Sequence, residues 1–114
     1  MYKAQITLSV PMGKRLIAKA IAALPDVKKA LREGNILLKG GTTVSAVSEE
    51  LIGSSLRVSG RITLRGTVSC NKNILTYPHS ILIHKGEAQN VDSCLPQVVS
   101  EMRSSDIAVC GANL

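Results

Sequence analysis

Lys39-Gly40-Gly41-Thr42-Thr43 is the segment of this chain best suited to chemistry. A short apolar run ends there, two glycines let the backbone turn, and an amphipathic helix is predicted to begin. A helix N-terminus presents amide protons without intrahelical partners, together with a partial positive charge. Glycine lets an anion approach the main chain, Thr42 or Thr43 can cap the helix or donate a hydroxyl, and Lys39 adds a full charge. Together they suit a phosphate or a carboxylate. The same residues also suit an ordinary tight turn with a threonine N-cap. Two further groups are predicted at strand ends, where α/β sites gather: Lys85, Gly86 and Glu87, and Cys110, Gly111 and Asn113. Both are expected to line one crevice with residues 40–43.

Other reactive residues carry less. His84 ends a predicted strand but has no partner visible in the sequence, which leaves it a weak acid/base candidate. Cys110 has no assignable histidine or aspartate to activate it, so a buried structural thiol is the simpler reading. Cys70, His79, His84 and Cys94 are separated by eight, four and nine residues, which matches no compact zinc module. No metal and no cofactor is expected. There is no G-x-G, hence no dinucleotide fingerprint, and Leu8 stands where a P-loop opening on Gly13-Lys14 would need its first glycine.

Composition narrows the partners. The chain has 114 residues, 45% of them apolar, and a net charge of +6. Residues 1–40 hold eight bases and two acids, whereas residues 41–114 hold six of each. A basic half points to an anionic partner or to a solvated helix face. With no Phe or Trp and two Tyr, the aromatic grip on single-stranded nucleic acid is missing. No apolar run approaches the ~20 residues that span a bilayer. Three cysteines without a C-x-x-C fit a reducing compartment. A soluble, cytoplasmic protein is the simplest expectation, with no membrane partner and with homo-oligomerisation left open.

These groups need elements to position them. Strict alternation over residues 3–10 predicts a half-buried strand, ended by Pro11 and Gly13. Leu16, Ile17, Ala20, Ile21 and Leu24 fall on one helical face. Pro25 opens a second helix over 26–33, with Val27, Ala30 and Leu31 inward and Gly34 as its stop. Residues 35–39 read as a strand buried on both faces, as in a parallel sheet. The helix after Thr43 carries Val44, Val47, Leu51 and Ile52 inward. Residues 56–70 alternate too long for one strand and predict a hairpin or bent pair, with bends at Gly60 and Gly66 and with Arg57, Arg61 and Arg65 on its soluble side. Residues 71–79 read as loop, 80–84 as strand, 85–87 as turn, 92–103 as helix and 106–110 as strand. The sum is one α/β domain over residues 1–114, with a mostly parallel central sheet flanked by helices and an added β hairpin. A piece of a longer chain fits as well as a complete domain.

The stretch from Gly13-Lys-Arg-Leu-Ile-Ala-Lys-Ala to Gly34, then Ile36-Leu-Leu-Lys-Gly-Gly-Thr-Thr-Val and its helix, resembles the opening of the ribose-5-phosphate isomerase, glucosamine-6-phosphate deaminase and CoA-transferase superfamily. Those chains begin with a helix, a strand, a Gly-Thr-Gly-Ser-Thr turn and a second helix. The resemblance implies an anion at Gly40, Gly41, Thr42 and Thr43. Residues 106–113 are also similar to the isomerase segment ending in Asp-Gly-Ala-Asp. Its first aspartate falls on Cys110 and its last on Asn113, so neither carboxylate is present. The transferases' nucleophilic glutamate has no clear counterpart, with Glu87 alone lying after a strand. The expectation is therefore a domain that binds a small anionic metabolite, a sugar phosphate or CoA-type ligand. Any turnover would be isomerase or transferase chemistry by resemblance only. The alternative is a non-catalytic regulatory or assembly module that uses its basic N-terminal helices.

Overall fold

The computed structural model describes residues 1–58, 61–63, 66–68 and 77–112. Helix α1 spans Val10–Ala23, and Ser9 caps it by accepting a hydrogen bond from the Met12 amide. Pro11 sits in its first turn, where a missing N–H costs nothing. The strand expected over 3–10 is absent: residues 1–9 lie outside any helix or strand and are exposed, save a half-buried Leu8. Alternation reports a surface fit for a sheet, but it supplies no partner strand.

The inward face of α1 also differs from expectation. Ala18 is fully buried, whereas Leu16, Ile17 and Leu24 are about half exposed. The small side chain lets α1 approach the helix that follows the first strand. Arg15, one turn earlier, bonds the carboxylates of Glu49 and Glu50 there.

Helix α2, Pro25–Glu33, buries Val27 and Ala30 as its spacing predicts. Strand β1 is Asn35–Lys39, and helix α3 is Thr42–Ile52 with Gly53 in the left-handed conformation as its stop. Strands β2, Arg61–Thr63, and β3, Gly66–Val68, pair antiparallel and form the core of the expected hairpin. Gly66 is thus the first residue of a strand. Gly60 and residues 69–76 lie outside the described residues.

Strands β4, Ser80–His84, and β5, Glu87–Asn90, form a tight hairpin through Lys85 and Gly86, both at positive φ. That turn matches the twist of the flanking strands. Helix α4, Leu95–Glu101, is shorter than predicted and buries no residue, and strand β6, Ile107–Val109, follows.

The four main strands run in the order β5-β4-β1-β6. Only β1 and β6 are parallel, while β4 is antiparallel to both β1 and β5. The sheet is mixed, not mostly parallel. Ile36, Leu37 and Leu38 are buried because β1 is central; an apolar run reports cover on both faces and carries no direction. Ile36 pairs with Ile83 and Leu38 with Ile81, and these four pack with Ala18, Val27, Ala30, Val44 and Val47. Each fully buried aliphatic side chain of this kind contributes about 1.5–3 kcal/mol. Among the described residues no helix is long and apolar enough to cross a membrane.

Candidate functional site

The mixed sheet divides the predicted crevice in two. Because β1 and β6 are parallel, in register up to Leu38 and Val109, Lys39–Gly40 and Cys110–Gly111 leave the sheet at the same end. Because β4 runs the other way, its start, Ser80, lies opposite Lys39, and its end, His84, lies opposite Asn35. Lys85, Gly86 and Glu87 therefore belong to the far end of β1, where the Lys85 amide bonds the Gly34 carbonyl. Gly34 and Gly40 are about 20 Å apart along an extended strand. The grouping of residues 85–87 with residues 40–43 is corrected accordingly. Asn113 lies outside the described residues.

At the Gly40 end, α3 begins two residues after β1. Its N-cap is Gly41, and no side chain caps it; Thr42 and Thr43 are its first helical residues, not its caps. Thr42 is exposed, and no acceptor among the described residues bonds the Thr42 or Thr43 amide. These first-turn amides are left without a protein partner among the described residues, as at any uncapped helix start.

The two glycines differ in what they do. An ideal Cβ on Gly40 would stand 2.6 Å from the His79 ring and from its carbonyl oxygen, whereas one on Gly41 would meet only Val44 Cγ2, at 3.8 Å. Glycine is thus required at position 40 for the close approach of His79. Gly41 has an extended φ of 163°, open to any residue.

His79, weighed in the sequence only within a set that matches no zinc module, is the neighbour for which Gly40 makes room. Asp92 holds it there, accepting the amides of His79 at 3.0 Å and Ser80 at 2.7 Å, with Arg57 Nη2 3.6 Å away. Burial pushes the Asp92 carboxyl up, but the two amide bonds and Arg57 outweigh it and hold it below its ordinary value. Arg57, His79, Ser80, Asp92 and Leu95 line a recess of about 270 Å³. No pattern in the sequence pairs His79 with Gly40.

Cys110 is an exposed free thiol, which corrects the expectation of a buried one. A Cβ on Gly111 would meet nothing within 4 Å. Among the described residues no three His, Cys, Asp or Glu gather as metal ligands. Lys85 and His84, at the opposite end, line a larger recess of about 680 Å³ between α4 and the sheet. No protein-family model, curated protein or solved structure matches the chain.

Proposed function

We propose that the chain binds a small anionic metabolite at the Gly40 end of the sheet. The amides of Thr42 and Thr43 supply the donors, Lys39 the neighbouring charge, and Cys110 and Gly111 the adjoining wall. The observation that carries this reading is the uncapped first turn of α3, with Thr42 exposed, at the end where the parallel strands β1 and β6 finish. A sugar phosphate or a CoA-type ligand is the class suggested by the resemblance to the isomerase, deaminase and transferase superfamily. The two free cysteines among the described residues accord with a cytoplasmic setting.

A thermal-shift titration with inorganic phosphate, ribose 5-phosphate and CoA tests the proposal. A ligand at a hundred times its Kd adds about 2.7 kcal/mol of stability. Thr42→Asp separates binding from folding. A carboxylate in the first turn stabilises α3 by about 0.3–1 kcal/mol while repelling an anion, so Tm rises and the ligand shift disappears. Lys28→Ala keeps the shift. No shift with any of the three probes ends the reading.

A second reading, an assembly or regulatory module, is favoured by the half-exposed Leu16, Ile17 and Leu24 beside the exposed Lys19, Lys28 and Lys29. Salt-sensitive binding to DNA or to a protein partner, without a metabolite shift, would select it.

A further inference from the structure

The Asn35 end of the sheet holds a hydrogen-bonded chain that the anion-binding reading does not use. Asp106 precedes β6, Asn35 opens β1 and His84 closes β4, so strand pairing alone brings the three together. Asn35 Nδ2 donates to Asp106 Oδ1 at 3.1 Å, and Asn35 Oδ1 stands 2.6 Å from His84 Nδ1. The second Asp106 oxygen accepts the Arg103 amide at 2.8 Å.

The roles in this chain follow in order. An ionised carboxylate only accepts, so Asn35 must turn its amino group toward Asp106. Its oxygen then faces His84, which must carry its proton on Nδ1. The lone pair of the neutral imidazole is left on Nε2, and His84 lines the 680 Å³ recess.

The rest of that recess has two characters. Leu82, Val98 and Met102 give it an apolar wall. Its charged groups are Lys85 and Arg103 against Glu33, Glu101 and Asp106, two bases to three acids, an excess that disfavours a polyanion and leaves groups of both signs for a ligand with one charge of each sign.

We propose that this recess is a second binding site, for a zwitterionic amino acid with an apolar side chain. Its ammonium group donates to Nε2 of His84, its carboxylate meets Lys85 or Arg103, and its side chain lies on Leu82, Val98 and Met102.

Two NMR measurements on the intact chain test it. Imidazole ¹⁵N shifts read the tautomer, and the expected result is a protonated Nδ1 on His84. Titration with L-leucine should shift the His84 ring and the Val98 and Met102 methyl resonances with saturation, while inorganic phosphate leaves them in place. Val98→Trp fills the recess from a helix that buries nothing, and should weaken leucine binding at least tenfold with the fold retained. A proton on Nε2, recess resonances that ignore leucine, displacement of leucine by phosphate, or unchanged affinity in a folded Val98→Trp protein would each overturn the proposal. Should that variant not fold, the tautomer and the two titrations of the unaltered protein still decide.

Discussion

At one end of β1 the available groups are main-chain amides, and at the other they are side chains. The Gly40 end is tight, with a histidine ring resting where a side chain would be and a small recess beside it. The Asn35 end is open, with a recess more than twice as large under a helix that buries nothing. The difference follows from strand direction. The parallel neighbour β6 sends its end to the Gly40 side, and the antiparallel neighbour β4 sends its end to the Asn35 side. A mixed sheet thereby places C-terminal strand ends at both of its ends, where a fully parallel one gathers them at one.

The contrast breaks most sharply at Gly40. Gly40→Ala drives a methyl group into the His79 carbonyl and is expected to cost about 3 kcal/mol in a urea melt. Gly41→Ala, with room for the methyl, should cost under about 1 kcal/mol. Equal costs would mean that His79 does not rest on Gly40. At the opposite end, Asn35→Ala strips partners from both Asp106 and His84, and about 1–2 kcal/mol of lost stability is expected from the same melt. A neutral result there would show the hydrogen-bonded chain to be loose.

Acid separates the two ends further. Asp92, at the Gly40 end, is held below its ordinary 3.8 by the His79 and Ser80 amides and by Arg57, against the opposing push of burial. Glu49, on α3, is held below 4.5 by Arg15 first and by the Ser55 hydroxyl second. A depressed carboxyl contributes stability that is complete above its ordinary value and is lost as pH falls through the lowered one. Denaturation midpoints measured from pH 6 down to pH 2, on the order of a dozen points, should therefore hold steady and then drop below those values. Asp92→Asn should flatten part of the drop and cost about 1 kcal/mol near neutrality. The smallest effect belongs to the β4–β5 turn. Lys85 has a φ of 49°, and Lys85→Asn, better suited to that region, should gain about 0.5 kcal/mol.

The legible parts of this fold were those whose pattern reports burial. Residues 35–39 and 80–84 declared themselves by continuous apolar character, and α2 and α3 by helical spacing. What depends on a distant partner was not legible. The alternating N-terminal segment has the look of a strand but no neighbour among the described residues. Conversely β5, Glu-Ala-Gln-Asn, has no apolar pattern because it is an exposed edge. The outward turn of Leu16 and Ile17 follows from a preference for the small Ala18 against α3, which helical periodicity alone does not rank. The direction of β4, expected parallel and found antiparallel, leaves no mark on an apolar run, yet it decides which end of the molecule Lys85 to Glu87 occupy. Within the candidate site, Gly40 to Thr43 adjoin in sequence and Cys110 leaves the sheet at the same end, whereas the approach of His79 and Asp92 to Gly40 depends on long-range pairing that no local pattern reports.

The bond between Asn35 and Asp106 joins residues 71 positions apart. The parallel pairing beside it spans the same stretch, so the middle of the sheet cannot close until a long loop has been gathered in. Such non-local closure slows folding relative to the local α1–α2–β1–α3 segment. The larger pocket, lined by Ser105 and Asp106 at the entry to β6, is thus complete only once the last strand has docked, and its occupancy would register completion of the sheet and not its early collapse.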